Sequence, residues 1–449
     1  MKLTPHQYQR TAADFMISNP RGAVLLDTGL GKTCVSLSVL RALGAIDQGQ
    51  PALVIGPLRV IQSTWKDEAA KFDQFKHFRF VVLHGSKKDE RLEEPADIYL
   101  INPEGLLWLK HKKNLPAWKT LIVDESTKFK NPKSARSRVL QKMRNQFSRR
   151  YILSATPAPN AARNVDQIFA QWSLLDDRLG KNVTAFRREF CYRGGFDNRE
   201  WLPRDGALEQ IAKRVEPITL HQSKFDHLEM PSLVVNDIKL KLGPKCQKVY
   251  KKFERELFAE LPDESRLLAF SASEKYTKAR QLANGTAYID GETTWFHDVK
   301  TDALEELVES LQGRPLLTLY QYNADLDAIQ NRLGELPAIN GKTSEKETAR
   351  ILKAWNRGEI PHLLGQPSAM SHGLNMQAGG SNVCWYSLCN CQETYSQAID
   401  RLHRQGQTET VKVHRLLMAG TIDTTIARQL EKKKIKQADF LAKVQGRPA

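Results

Sequence analysis

Four short segments of this 449-residue chain carry side chains suited to phosphate chemistry. The first is Asp27-Thr28-Gly29-Leu30-Gly31-Lys32-Thr33, preceded by the apolar run Ala23 to Leu26 and followed by helix-forming residues from Cys34 to Leu43. Strand, glycine-rich turn and helix in that order make a phosphate cradle. Gly29 and Gly31 let backbone N–H groups face one point, and the helix adds its positive end. Lys32 would reach the β- and γ-phosphates, and Thr33 would offer its hydroxyl to Mg2+. Leu26 stands six positions before Lys32, where the usual pattern has glycine, so a tight turn before an ordinary helix is the plainer alternative.

The second segment is Asp124-Glu125-Ser126-Thr127, entered from Leu121-Ile122-Val123. Adjacent acids at the end of an apolar strand are costly near a core, which favours a catalytic reading over a solvated turn. Asp124 would hold Mg2+, and Glu125 would take a proton from, or orient, the attacking water. The third, Ser154-Ala155-Thr156, follows Tyr151-Ile152-Leu153. Its hydroxyls could bond across to the acids and sense the nucleotide, or close a local turn. The fourth is Gln397 to Gln407. On a helix, Gln397, Arg401 and Arg404 would share one face, with Gly406 ending the helix. Two permanently charged guanidiniums on one face can clamp a triphosphate, Arg404 ahead of Arg401 for the γ-phosphate. Upstream, Gln7 has an amide able to read an adenine edge, although a lone surface glutamine is the commoner case.

These segments need strands to aim them. Ala52 to Ile55, Phe80 to Leu83, Ile98 to Ile101, Leu121 to Val123 and Tyr151 to Leu153 read as buried strands between helical stretches. That alternation implies a parallel sheet covered on both faces, with ligands beyond the carboxyl ends of its strands. The alternation restarts at Arg314 to Tyr320 and continues through Pro361 to Leu364, Val383 to Tyr386 and Val411 to His414. This second sheet has no phosphate loop of its own, so it would complete the first domain's site. The expected domains are 1–230 and 231–449, with a less informative segment near 240–300 that includes a hairpin or loop from Gly285 to Thr294. The charged stretch Glu431 to Lys436 reads as a solvated helix.

Lys plus Arg exceed Asp plus Glu by 67 to 51, a net charge of +16, which suggests a polyanionic partner. The basic run Lys128, Lys130, Lys133, Arg136, Arg138 reads equally as a phosphate-backbone surface or a solvated helix. No signal core or membrane-length apolar run occurs, and the six cysteines show no paired framework, so a cytoplasmic protein is expected. Cys384, Cys389 and Cys391 read as buried thiols rather than a metal site.

Gln7, Gly29 to Thr33, Asp124 to Thr127 and Ser154 to Thr156 resemble motifs Q, I, II and III of superfamily 2 helicases, and the wording is most similar to the Snf2-like branch. Gly56-Pro57-Leu58-Arg59 with Thr64-Trp65 resembles motif Ia, and Ile101 to Glu104 the segment after it. Phe186 to Cys191 also has counterparts there. His372-Gly373-Leu374-Asn375-Met376 resembles a shortened motif V, and Gln397 to Gln407 resembles motif VI. The branch replaces the early loop glycine, which accommodates Leu26. The acidic motif is Asp-Glu-Ser-Thr rather than Asp-Glu-Ala-His, so it keeps both acids but not the histidine that often relays nucleotide state.

The resemblance, from about Leu3 to about Leu430, implies a minimal motor core. It implies two RecA-like parallel-sheet domains in tandem, ATP and Mg2+ in the cleft between them, and motif VI arginines acting as fingers across it. It implies nucleic-acid contacts at Arg59, Thr64, Trp65, His372, Gly373 and Asn375, to which the basic run, on its phosphate-backbone reading, adds Lys128 and Lys130. The expected activity is a monomeric, DNA-dependent ATPase translocating on duplex DNA, without a membrane partner. A strand-separating DNA or RNA helicase is the nearest rival. A nucleic-acid binding module with an inactive nucleotide site is the rival of another class, and the intact Lys32, Asp124, Glu125, Arg401 and Arg404 argue against it. A small GTPase-like switch is disfavoured by the lack of an Asn-Lys-x-Asp motif.

Overall fold

Uninterrupted aliphatic runs become central strands, because a parallel sheet is covered on both faces. The computed structural model describes residues 1–46, 51–158, 164–194, 200–258, 274–289, 292–370 and 374–445. It divides into two units, 1–228 with 433–449, and 229–432.

The first unit is built on β1 (Arg21–Leu26), β2 (Ala52–Ile55), β3 (Phe80–Val82), β4 (Ile98–Ile101), β5 (Thr120–Asp124) and β6 (Arg149–Leu153). A small antiparallel hairpin, β7 (Cys191–Gly194) and β8 (Glu200–Pro203), stands apart from the sheet, and β9 (Thr219–Gln222) closes it. Among the described residues the sheet order is β3-β4-β2-β5-β6-β1-β9, and every pairing is parallel. Successive strand residues face opposite ways, and the cores follow that alternation. Ala23, Leu25, Leu121, Val123 and Ile152 enter one cluster. Val24, Leu26, Ile122, Tyr151 and Leu153 enter the other.

The second unit carries β10 (Leu233–Leu240), the hairpin β11 (Thr286–Ile289) and β12 (Glu292–Trp295), and β13 (Leu316–Leu319). It continues with β14 (Ala338–Ile339), β15 (His362–Gly365), β16 (Asn382–Trp385) and β17 (Val411–Met418). Its main sheet has the order β10-β17-β16-β13-β15-β14, again parallel throughout. Leu317, Leu319, Val383 and Trp385 pack on one face. Leu316, Tyr320, Cys384 and Tyr386 pack on the other. The 240–300 segment contributes helices Pro244–Phe258 and Glu274–Asn284 before the antiparallel hairpin. It is tied to the sheet by a buried polar network. Lys300 Nζ pairs with Asp423 at 2.6 Å and donates to Asn284 Oδ1 at 2.8 Å, and Asn284 Nδ2 donates to Asp325 at 2.9 Å. Gly285 is obligatory there, since its φ is +106° and a Cβ would lie 2.1 Å from the His297 carbonyl.

The chain's last turns differ from the expected division. Helix Ile422–Val444 begins in the second unit, yet residues 433–449 belong to the first. Phe440, Leu441 and Val444 enter the first unit's core, with Phe440 edge-on to Trp172 at 6.0 Å. Lys443 pairs with Glu209, and Gln445 Nε2 donates to the His221 carbonyl at 3.0 Å. Glu431 to Lys436 is helical and mostly exposed, as its charge implies, and the apolar residues that follow at helical intervals anchor the end of the helix. Among the described residues, no helix is long and apolar enough to cross a membrane.

Candidate functional site

β5, β6 and β1 are neighbours in the first sheet and run in one direction. Their carboxyl ends therefore deliver three sequence segments to one edge: the loop after Leu26, Asp124-Glu125 and Ser154. In the loop, Gly29 and Gly31 have φ of +95° and +77°, the left-handed region that glycine enters without cost. A Cβ on Gly31 would sit 2.6 Å from Gln9 Nε2, so the cradle is closed from that side as well. Lys32 Nζ donates to the Leu26 carbonyl at 2.9 Å, folding the lysine over the loop. Asp27 Oδ2 accepts from Ser223 Oγ at 3.2 Å and from the Lys224 N–H at 3.0 Å, which pins the loop's start beside the end of β9.

Gln7 is exposed on the first helix. The glutamine that reaches the loop is Gln9: its Oε1 accepts from the His6 N–H at 3.0 Å and its Nε2 donates to the Leu30 carbonyl at 3.4 Å. A cavity of about 190 Å3 lies beside it, lined by Pro5, Gln9, Arg10, Asp14, Cys34 and Ser38. The available sequence signal is the three-residue spacing of a helix-capping box, His6 to Gln9.

Asp124 is 6% exposed. Burial raises its pKa above the usual carboxylate range, and Lys32, the Trp65 N–H and the Glu125 backbone oppose that rise. Glu125 sits at φ 56°, ψ 63°, a left-handed conformation that costs a non-glycine residue about 1 kcal/mol or more. Ser154 Oγ accepts from the Thr156 N–H at 3.0 Å and closes its own turn. Ala155 and Thr156 are buried in that turn.

Trp65 corrects an expectation. It is 0% exposed, with Nε1 donating to Asp124 Oδ2 at 3.3 Å, so it cannot touch nucleic acid. The helical turn after β2 points the indole inward, and its polar edge finds the buried acid. Arg59, Thr64, Lys128 and Lys130 are half-buried, while Lys133 and Arg138 are exposed. Arg136 is held by Glu104 at 2.8 Å.

In the second unit the expected helix through Gln397, Arg401 and Arg404 stops early. Helix Gln392–Ile399 ends before the arginines, and residues 400–406 are turns. Gln407 holds those turns by donating to the carbonyls of Gln377, Gly380 and Leu402, and Gly406 has φ +91°. The arginines still converge. Arg401, 5% exposed, donates from Nε to the Gln397 carbonyl at 2.9 Å. Nη1 of Arg401 and Nη1 of Arg404 each donate to the Leu374 carbonyl at 3.3 Å. Arg404 also donates to Asn375 Oδ1, joining the fifth and sixth motifs. His372 and Gly373 lie outside the described residues. Sequence reading missed a cavity of about 820 Å3 at the carboxyl ends of β13, β14 and β15, whose lining includes Gln321, Tyr322, Asn340, Lys342 and Gln366. Cys384 and Cys389 are buried, and no group of three His, Cys, Asp or Glu side chains among the described residues could hold a metal ion.

Two parallel-sheet units, the first carrying a glycine-rich loop with Lys32 at its end, match the architecture of superfamily 2 helicases. The SNF2-related domain matches residues 8–287 and the helicase conserved C-terminal domain matches 299–406. The chain belongs to the SNF2-related family, and it is an ATP hydrolase of the helicase class. It is 30% identical to "Putative protein p41" of Acyrthosiphon pisum secondary endosymbiont phage 1, covering 97% of each chain. It is 26% identical to "Putative ATP-dependent helicase/translocase YwqA" of Bacillus subtilis, over 96% of this chain but 48% of that one. The chain thus spans about half the length of that relative. The Sulfolobus solfataricus SWI2/SNF2 ATPase core in complex with dsDNA aligns over 100% of this chain and 98% of that chain, at 22% identity and a TM-score of 0.46.

Proposed function

We propose that this chain couples ATP hydrolysis to movement along duplex DNA. The observation that carries the reading is that the glycine cradle and the Asp124-Glu125 pair follow the carboxyl ends of β1 and β5, the two parallel strands that flank β6. The positive-φ glycines and the overlying Lys32 fit a triphosphate, with Lys32 on its terminal phosphates and Arg401 and Arg404 supplying further charge to the γ-phosphate. A buried carboxylate at the lip of the cradle, together with the Thr33 hydroxyl, fits Mg2+. A bound Mg2+ would neutralise charge on the β- and γ-phosphates. Glu125 orients, or takes a proton from, the attacking water. The loss of γ-phosphate charge at each turnover is what the two arginines would sense, so hydrolysis can drive a conformational cycle.

The net charge of +16 suits sequence-independent, salt-sensitive binding to a phosphate track. Half-buried Arg59, Lys128 and Lys130 in the first unit, with the polar cavity beyond β13 to β15 in the second, are the surfaces assigned to that track. The domain assignment proposed is an ATP-binding domain over 1–230 and a helicase C-terminal domain over 231–449, the latter lending its final turns to the former. The test is ATPase activity with single-stranded, duplex and forked DNA and with RNA, run beside triplex- and strand-displacement assays, with Lys32→Ala as control. Duplex-stimulated turnover with triplex displacement supports translocation. Robust unwinding without triplex displacement identifies a strand-separating helicase. No hydrolysis with any ligand identifies a binding module.

A further inference from the structure

Ser126 stands where the family's acidic motif has alanine, and its hydroxyl is completely buried. Ser126 Oγ donates to Gln171 Oε1 at 2.7 Å. Gln171, also 0% exposed, donates through Nε2 to the Pro157 carbonyl at 2.6 Å and to the Gln167 carbonyl at 2.9 Å. One amide therefore ties the acidic loop to the turn that contains Ser154 to Thr156, while belonging to neither.

We infer that Gln171 is a positioning residue that relays nucleotide state from the Asp124-Glu125 loop to the 154–157 turn, in place of the motif histidine this chain lacks. The inference rests on the nucleotide reading of the site. The amide suits the task because it accepts from one side and donates to the other, so neither contact can shift without the other. Both partners are shut off from water, and breaking either bond leaves a buried polar group unsatisfied. The segment Gln171 belongs to extends the reach. Helix Asp166–Trp172 begins at Asp166, which takes Arg187 Nε at 3.0–3.1 Å, and the Arg187 guanidinium lies 5.5 Å from the Trp201 ring of β8. Motion passed to this helix would travel to an aromatic and basic hairpin outside the main sheet.

A chain of contacts is not yet a coupling, so the test is a double-mutant cycle. Ser126→Ala, Gln171→Met and the double variant are compared with the unaltered chain for the ratio of DNA-stimulated to DNA-free ATP turnover, for ATP KM, and for melting temperature. Each single variant is expected to lower the ratio about tenfold, the equivalent of one buried hydrogen bond, with KM changed less than about twofold and no further loss in the double. Gln171→Glu keeps the acceptor for Ser126 but loses the donor to Pro157, and is expected to behave like Gln171→Met. Undiminished ratios, or losses that multiply in the double variant, overturn the relay. Should Gln171→Met fail to fold, Ser126→Ala alone decides. A second readout needs no DNA: amide hydrogen exchange over 154–157, with and without Mg2+ and a non-hydrolysable ATP analogue. The analogue should change exchange there in the unaltered chain and not in Ser126→Ala; equal change in both overturns the relay. Absence of DNA stimulation in the unaltered chain would instead count against the proposed function, and the exchange result would still judge the relay.

Discussion

Trp65→Phe separates an electrostatic role from a packing role at the acid that would hold Mg2+. The indole N–H lies 3.3 Å from Asp124 Oδ2 and the ring is fully buried, so phenylalanine keeps most of the packing and removes the donor. A hydrogen bond to a charged acceptor contributes about 1.5–3 kcal/mol, and the 3.3 Å separation argues for the lower end. A loss of about 1.5 kcal/mol is about tenfold in the ratio of ionised to protonated Asp124, because the N–H favours the carboxylate over the carboxylic acid. Only the ionised form is useful to a divalent cation. DNA-stimulated kcat/KM for ATP should therefore fall about tenfold on the acidic side of its pH profile, and much less at higher pH, where Asp124 is ionised in both proteins. The lost ring atoms lower stability by about 1 kcal/mol at every pH, which a melting curve registers separately. A loss of activity by the same factor across the whole profile would refute the electrostatic argument. A loss that tracked salt concentration and DNA affinity would return Trp65 to the nucleic-acid role its motif implies.

Replacing Glu125 distinguishes chemistry from backbone strain. Glu125→Gln should retain nucleotide binding and lose hydrolysis, whereas Glu125→Gly should lose hydrolysis and also melt higher, since glycine accepts φ 56° freely and relieves about 1 kcal/mol; equal melting points would contradict the strain. Asp124→Asn, measured without Mg2+ or nucleotide, should raise the melting temperature at neutral pH. Burial raises the carboxyl's pKa, so the unfolded chain ionises first and stability drops as pH climbs from about 4 through the raised value. The gain should therefore shrink toward pH of about 4, and a gain independent of pH would point elsewhere. Arg404→Ala should lose most DNA-stimulated turnover while fluorescent-nucleotide binding to the first unit persists, and unchanged stimulation would remove it from the site. Phe440→Ala should destabilise the first unit by about 3–5 kcal/mol in denaturant unfolding, because the ring is fully buried against Trp172; a change under about 1 kcal/mol would mean the tail only rests there.

Much of this protein is written locally. Gly29 and Gly31 announce left-handed backbone, Lys32 and Thr33 open the helix that follows, and the aliphatic runs at 52–55, 98–101 and 121–123 become fully buried strands. Those signals depend on neighbours within a few residues, so the glycine-rich loop, the acid pair and the parallel sheets are legible before folding. The direction of a side chain across the sheet is another matter. Trp65 meets Asp124 across 59 residues and Ser126 meets Gln171 across 45. Nothing near Trp65 or Gln171 in the chain distinguishes an inward-facing polar edge from an outward-facing one. The helix bearing the arginines had a plausible continuation through Arg404, yet it stops at Ile399, where Gln407 holds the following turns through three carbonyls. The charged stretch Glu431 to Lys436 is helical and mostly exposed, as its composition suggested, whereas Phe440, Leu441 and Val444 beyond it carry the helix's end into the first unit. Short-range backbone preferences settled which elements form and where the glycine-rich loop lies. Burial settled which polar groups support that place, because a hydrogen bond between distant residues exists only once the core has brought them together and shut out water.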